Sequence, residues 1–75
     1  MARVEVRSEV AGTVWSLERD PGETVAAGEA VVILESMKME VPVEAPVAGR
    51  VAELAVAKDD PVEEGQVVAI LDTED

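Results

Sequence analysis

"VRSEVAGTVWSL" (residues 6–17) lies without a gap on "VEAPVAGRVAEL" (residues 43–54), and that 37-residue shift decides how the chain is read. The same shift carries "TVAAGEAVVILE" (24–35) onto "PVEEGQVVAILD" (61–72). Identical pairs include Val10/Val47, Ala11/Ala48, Gly12/Gly49, Val14/Val51, Leu17/Leu54, Val25/Val62, Gly28/Gly65, Ile33/Ile70 and Leu34/Leu71. Glycines that recur at matched places mark matched turns or close backbone approaches. Two repeats are too few for a solenoid, which needs at least about three. They imply a single domain, residues 1–75, whose halves (4–37 and 41–74) share one core.

Each half reads as strands. Val10, Gly12, Val14 and Ser16 alternate along one face, as do Val47, Gly49, Val51 and Glu53, the period of half-buried strands. "DPGET" and "KDDPV" read as one matched pair of turns, "AAGEA" and "EEGQV" as another. "VVILE" and "VVAIL" are short apolar runs bounded by turns, as buried strands are. "AELAVAK" has helical propensity, but its mate "WSLERDP" does not, and the repeat requires one structure for both. Four short strands per half predict an all-β flattened barrel or sandwich of about eight strands with internal pseudo-two-fold symmetry.

Composition narrows the function. At 75 residues a chain hides only about 60% of its unfolded surface, so stability is narrow. The chain has no cysteine and no histidine, so neither disulfides nor a thiolate or imidazole metal site can staple it. Trp15 is the one aromatic residue; paired with Ala52 in the repeat, it is read as a packing residue that breaks the symmetry. A formal charge of −11 argues against nucleic acid and anionic membrane as partners. No apolar run approaches the ~20 residues of a membrane span, and the start of the chain is unlike a signal peptide. The expected setting is the cytoplasm and the expected state a monomer. The sequence reads as a free protein, since no Ala/Pro-rich linker flanks the repeat; an excised domain given a starting Met is the other reading. No catalytic constellation is visible, so the chain reads as a non-catalytic protein.

"VVILESMKMEVPV" (31–43) joins the halves as a strand, a tight reversal and a second strand. Two-residue hairpin turns prefer Gly, Asn or Asp at their positive-φ positions, yet the reversal falls on Met37-Lys38. A turn built there carries backbone strain, and strain persists where something other than stability selects it. Lys38 is one of two lysines, and the other, Lys58, sits in a turn with no methionine beside it.

In this frame "ESMKME" resembles the (A/S)-M-K-M motif of the biotinyl domains of biotin-dependent carboxylases, the biotin carboxyl carrier family. "PGETVAAGEAVVILE" before it, and "APVAGRV" and "DDPVEEGQVVAIL" after it, are similar to the family's flanking stretches. The likeness covers almost the whole chain and extends above all to the short free-standing biotin/lipoyl attachment proteins. Two departures stand out: Ser8-Glu9 where the second half has Ala45-Pro46, and Asp59 where Gly22 has its mate. Asp tolerates the left-handed conformation better than most residues, so that turn is expected to survive.

The resemblance implies the biotinyl/lipoyl hammerhead fold and a carrier function. A biotin protein ligase would join biotin to Lys38; a biotin carboxylase would carboxylate it, and a carboxyltransferase would pass the carboxyl group to an acceptor. Met37 and Met39 are then flexible apolar contacts flanking the lysine, although rim packing explains them too. Glu35, Ser36 and Glu40 are candidate recognition residues; for the two glutamates a solvated face is an equal reading. Two rivals remain: a lipoyl carrier, against which the methionines argue because lipoyl domains usually carry Asp-Lys-Ala here, and an unmodified adaptor that binds through the hairpin tip. The repeat adds an expectation of its own. Shifting Lys38 by 37 either way gives Met1 and Asp75, so both termini should sit together, on the face farthest from Lys38.

Overall fold

The valine periodicity produces strands throughout. The computed structural model describes residues 2–73, and among these there are eight strands and no helix. They are β1 (Ala2–Arg7), β2 (Gly12–Leu17), β3 (Thr24–Val25), β4 (Ala30–Ser36), β5 (Met39–Glu44), β6 (Gly49–Leu54), β7 (Pro61–Val62) and β8 (Val67–Thr73). Each strand of the second set begins and ends 37 residues after its counterpart. Two antiparallel four-stranded sheets result, β1-β8-β6-β3 and β5-β4-β2-β7. Each sheet takes two strands from each half, so the halves are interleaved rather than stacked.

The hydrogen bonds outside the ladders obey the same symmetry. Ser8 N–H donates to Gln66 O at 2.9 Å and Ala45 N–H to Glu29 O at 2.8 Å. Val14 N–H donates to Asp60 O and Val51 N–H to Glu23 O, both at 2.9 Å. Adding 37 to the donor subtracts 37 from the acceptor, which is the signature of a two-fold axis and not of a translation.

The core lies between the sheets and is almost wholly valine and leucine. Val6/Val43, Val14/Val51, Val25/Val62, Val31/Val68, Val32/Ala69 and Leu34/Leu71 are all buried as symmetry-related pairs. Ser8, the mate of Ala45, is buried as well. Its hydroxyl donates to Val10 O at 2.5 Å and accepts from Val10 N–H at 3.2 Å. That local tie holds the bend at which the second half uses Pro46. Asp59 has φ +73° against +95° at Gly22, so the second departure from the repeat keeps its left-handed turn.

Four β-bulges correct the simple alternation. Val14 pairs with Leu34 and Ser16 with Ile33, which leaves Trp15 as the extra residue; Ala52 is extra in the matching place on β6. After Val14 the inward position therefore passes to Leu17, and after Val51 to Leu54, which pack on the core. Ser16 and Glu53 do not continue the buried face. Val31 and Val68 are the extra residues of β4 and β8, which is why two consecutive residues are buried in "VV" and "VA". Val47 is also exposed (38%) where the alternation placed it inward. Trp15 is 47% exposed and so is not the packing residue that the sequence suggested.

Four of the turns share one chemical device. Glu23 N–H donates to Asp20 O at 3.1 Å while a Glu23 carboxylate oxygen accepts from Asp20 N–H at 2.7 Å. Glu29 with Ala26, Asp60 with Ala57 and Gln66 with Glu63 repeat this reciprocal pair. Part of the chain's acidity thus closes turns, a role that a count of charges does not reveal.

The recurring Gly12/Gly49 pair marks close approaches. A Cβ on Gly12 would meet Glu35 O at 2.7 Å, and one on Gly49 would meet Asp72 O at 2.7 Å. Met1 and Asp75, expected to lie side by side, fall outside the described residues. Ala2 and Thr73 are paired across β1 and β8, in the position related by symmetry to Met39 and Ser36.

Gly12→Ala and Gly49→Ala should each destabilise the fold by about 1–3 kcal/mol, because backbone must move to admit the methyl group. The two-fold requires similar losses at the two sites. Urea titration checks this, and a neutral substitution at either site would show that the close approach is not tight.

Candidate functional site

The hairpin between β4 and β5 closes on two residues. Ser36 pairs with Met39 and Glu35 with Glu40, leaving Met37 and Lys38 as the turn. Their φ values are +52° and +66°. Consecutive left-handed residues match the right-handed twist of the flanking strands, which is why such turns normally take Asn-Gly. Methionine and lysine pay a Cβ–carbonyl repulsion of roughly 1–2 kcal/mol each in that region. Of the non-glycine residues described, only these two and Asp59 have positive φ.

The side chains leave the body. Met37 is 92% exposed and Met39 66% exposed, so neither packs on the rim. Lys38 is exposed, and none of the ion pairs or side-chain hydrogen bonds among the described residues involves it. Each of the three ion pairs uses an arginine. Lys58 is exposed in the Ala57–Asp60 turn, where it is followed by Asp59 and Asp60.

Glu35 and Glu40 form the rung beneath Ser36 and Met39, and both are exposed. Their symmetry mates are Asp72 and Arg3, which pair at 3.4 Å in β8 and β1. An ion-paired rung at one place is thus a pair of like charges at the other, beside the lysine. Directly opposed like charges weaken strand pairing. Ser36 is half-buried and helps seat the last rung. The structure therefore brings all six candidate residues, Glu35 to Glu40, onto one protruding hairpin. The bulged, exposed Trp15 was missed as a surface residue; its only sequence signal was the mismatch with Ala52.

The arrangement can offer one flexible primary amine on a stiff tip to an enzyme that reacts with it. A symmetric, interleaved eight-stranded β domain with an exposed lysine at its central left-handed turn is the form that the resemblance to the biotinyl domains implied.

The comparisons agree. A family model described as "Biotin-requiring enzyme" matches residues 5–71. The chain belongs to this biotin/lipoyl attachment family. It is 37% identical over 67 residues to the biotinylated protein TB7.3 homolog of Mycobacterium leprae, covering 89% of this chain and 94% of that one. It is 40% identical over 63 residues to the biotin/lipoyl attachment protein of Bacillus subtilis, covering 84% of this chain and 86% of that one. Among solved structures, the urea carboxylase of Kluyveromyces lactis matches with TM-score 0.89 and 34% identity over 95% of this chain. The match spans 6% of the carboxylase chain, so it concerns one domain of that enzyme.

Replacing Met37-Lys38 by Asn-Gly should stabilise the fold by about 1–2 kcal/mol through relief of the left-handed strain. Thermal and urea unfolding of the double variant measure it. A variant no more stable than the natural chain would show that the turn carries no strain.

Proposed function

We propose that the chain is a biotin carboxyl carrier modified at Lys38. The observation that carries this reading is the place of Lys38: an unpaired, exposed amine in a strained turn that the fold does not need a lysine to make. The names of the relatives favour biotin over lipoate as the group attached. A lysine ammonium is protonated at neutral pH and becomes a nucleophile only after an enzyme removes a proton. Lys38 Nζ then forms an amide with the carboxyl carbon of biotin presented as its acyl-adenylate; AMP leaves, and the proton goes to a base of the ligase. When bound, biotin supplies a ureido nitrogen that accepts and releases a carboxyl group.

The chain's own residues hold and present. The paired strands β4 and β5 fix the direction in which the lysine leaves the body. Met37 and Met39, exposed and flexible, give enzymes an apolar grip on either side of it. The unneutralised Glu35/Glu40 rung suits a basic surface on a partner. A biotin protein ligase, a biotin carboxylase and a carboxyltransferase are the partners this function requires. Catalysis resides in them, and the cytoplasm is where the proposal places the chain.

Lys38→Arg should abolish biotinylation while leaving stability unchanged, since a guanidinium keeps the charge but is no acyl acceptor. Intact mass and peptide mapping after incubation with biotin, ATP and a biotin protein ligase read it out. Label on Lys58, or on the arginine variant, would refute the site.

Ligand choice has its own test. Met37→Asp with Met39→Ala, the lipoyl-like pattern, should lower biotinylation by about tenfold or more, the scale expected for loss of a good apolar contact. Unchanged labelling kinetics would remove the methionines from recognition.

A further inference from the structure

The two-fold gives every face of this protein an internal twin, and the twin shows what the fold alone requires. On the outer face of the β5 sheet, the bulge turns Trp15 and Ser16 toward the same side, opposite Ile33, and Ile33 faces Pro42. Trp15, Ile33 and Pro42 therefore form an apolar stripe across three neighbouring strands. Two residues nearer the hairpin, Thr13, Glu35 and Glu40 form a parallel row.

The twin face lies on the β1 sheet. Its stripe is Ala52, Ile70 and Glu5, and its row is Arg50, Asp72 and Arg3. The isoleucine is kept, and so is the central carboxylate. The other four positions differ: Trp for Ala, Pro for Glu, Thr for Arg, Glu for Arg. The six twin positions carry two cations and two anions, whereas the six beside Lys38 carry two anions, an exposed tryptophan and an exposed proline, with Lys58 bordering the tryptophan. Both sheets fold on the same backbone, so the fold requires neither the tryptophan nor the opposed glutamates.

We infer that this face is the docking surface for the ligase that modifies Lys38, with Trp15 as its apolar anchor and Glu40, which stands where the twin face has an arginine, meeting basic residues of the ligase. The inference rests on the reading of Lys38 as the biotinylation site. An enzyme that acylates Nζ must bring its reacting atoms to bonding distance of the amine, so its body covers the hairpin and whatever adjoins it. The stripe begins four residues along β4 from Met37, about 13 Å at ~3.3 Å per residue. That lies within a standard footprint of roughly 800 Å² per partner. Enzymes that act on the distal end of a biotinyl-lysine arm work farther from the body and do not need this contact. Tryptophan is enriched among residues that dominate interfaces, and an anionic rung with no cation of its own is complementary to a basic partner.

The test measures kcat and KM for the carrier with biotin, ATP and a biotin protein ligase. Trp15→Ala installs the residue that the twin position already accommodates. Its KM should rise at least about tenfold, with kcat little changed, and Glu40→Arg should raise KM in the same sense. Arg50→Thr, on the twin face, should leave both constants unchanged. A wild-type KM for Trp15→Ala overturns the docking face. Should that variant fail to fold by circular dichroism, Pro42→Glu serves in its place, and a wild-type KM there overturns the inference equally. Natural chain that takes no label at all overturns the Lys38 reading along with the inference. Trp15→Ala labelled normally but carboxylated slowly overturns the ligase as the occupant while leaving Lys38 in place.

Discussion

The structure depends on one constraint: neither half of the chain owns a sheet. β1 and β3 of the first half complete a sheet with β6 and β8 of the second, and β2 and β4 do the same with β5 and β7. The valine core is therefore common property, buried only when both halves are present. This interleaving also dictates the hairpin. The chain must reverse at the junction of the halves, between Ser36 and Met39, for β4 and β5 to lie side by side. Fold and site are thus one problem. The reversal is compulsory, and the residues chosen for it are poor at making it.

Much of this was legible in the sequence because the repeat has no gap. The 37-residue register gave the count of eight and placed β2, β4, β6 and β8, and the glycine matches located close approaches and left-handed turns; the short β3 and β7 overlap stretches that read as turns. The hairpin was legible for a different reason: Met37-Lys38 stands where turn chemistry calls for Asn or Gly. The bulges were not legible. A bulge adds one residue to one strand without leaving any mark in composition, so Ser16 and Glu53 read as inward when Leu17 and Leu54 take that place. Trp15 was misread by the same cause. An aromatic residue in a valine-rich strand is normally core, but here the bulge re-aims it outward. The acid-closed turns were invisible too, because a glutamate that accepts a backbone N–H looks like any surface glutamate until the turn is built.

Internal symmetry turns the protein into its own control. Where mates agree, as at Val14/Val51 or Leu34/Leu71, the fold explains the residue. Where they disagree, the repeat alone explains neither choice; such pairs run through the chain, and four of them lie at the six positions compared on the face beside the hairpin. The rung Glu35/Glu40 is the sharpest case, because its mate Asp72/Arg3 shows the stabilising alternative that the same backbone accepts.

Interleaving also imposes an order in time. During synthesis Lys38 emerges near the middle of the chain, long before β7 and β8 exist to complete the two sheets. Until they arrive, β5, β4 and β2 can pair but have no complete sheet to pack on, because β1 waits for β8, a long-range pairing of the kind that closes late. The hairpin itself pairs locally once β5 is made, but the core that backs it closes only when β7 and β8 arrive. A ligase that recognises the tip and the face beside it reads a finished molecule. On that reading the packed core behind the hairpin, more than the hairpin alone, marks a copy as complete.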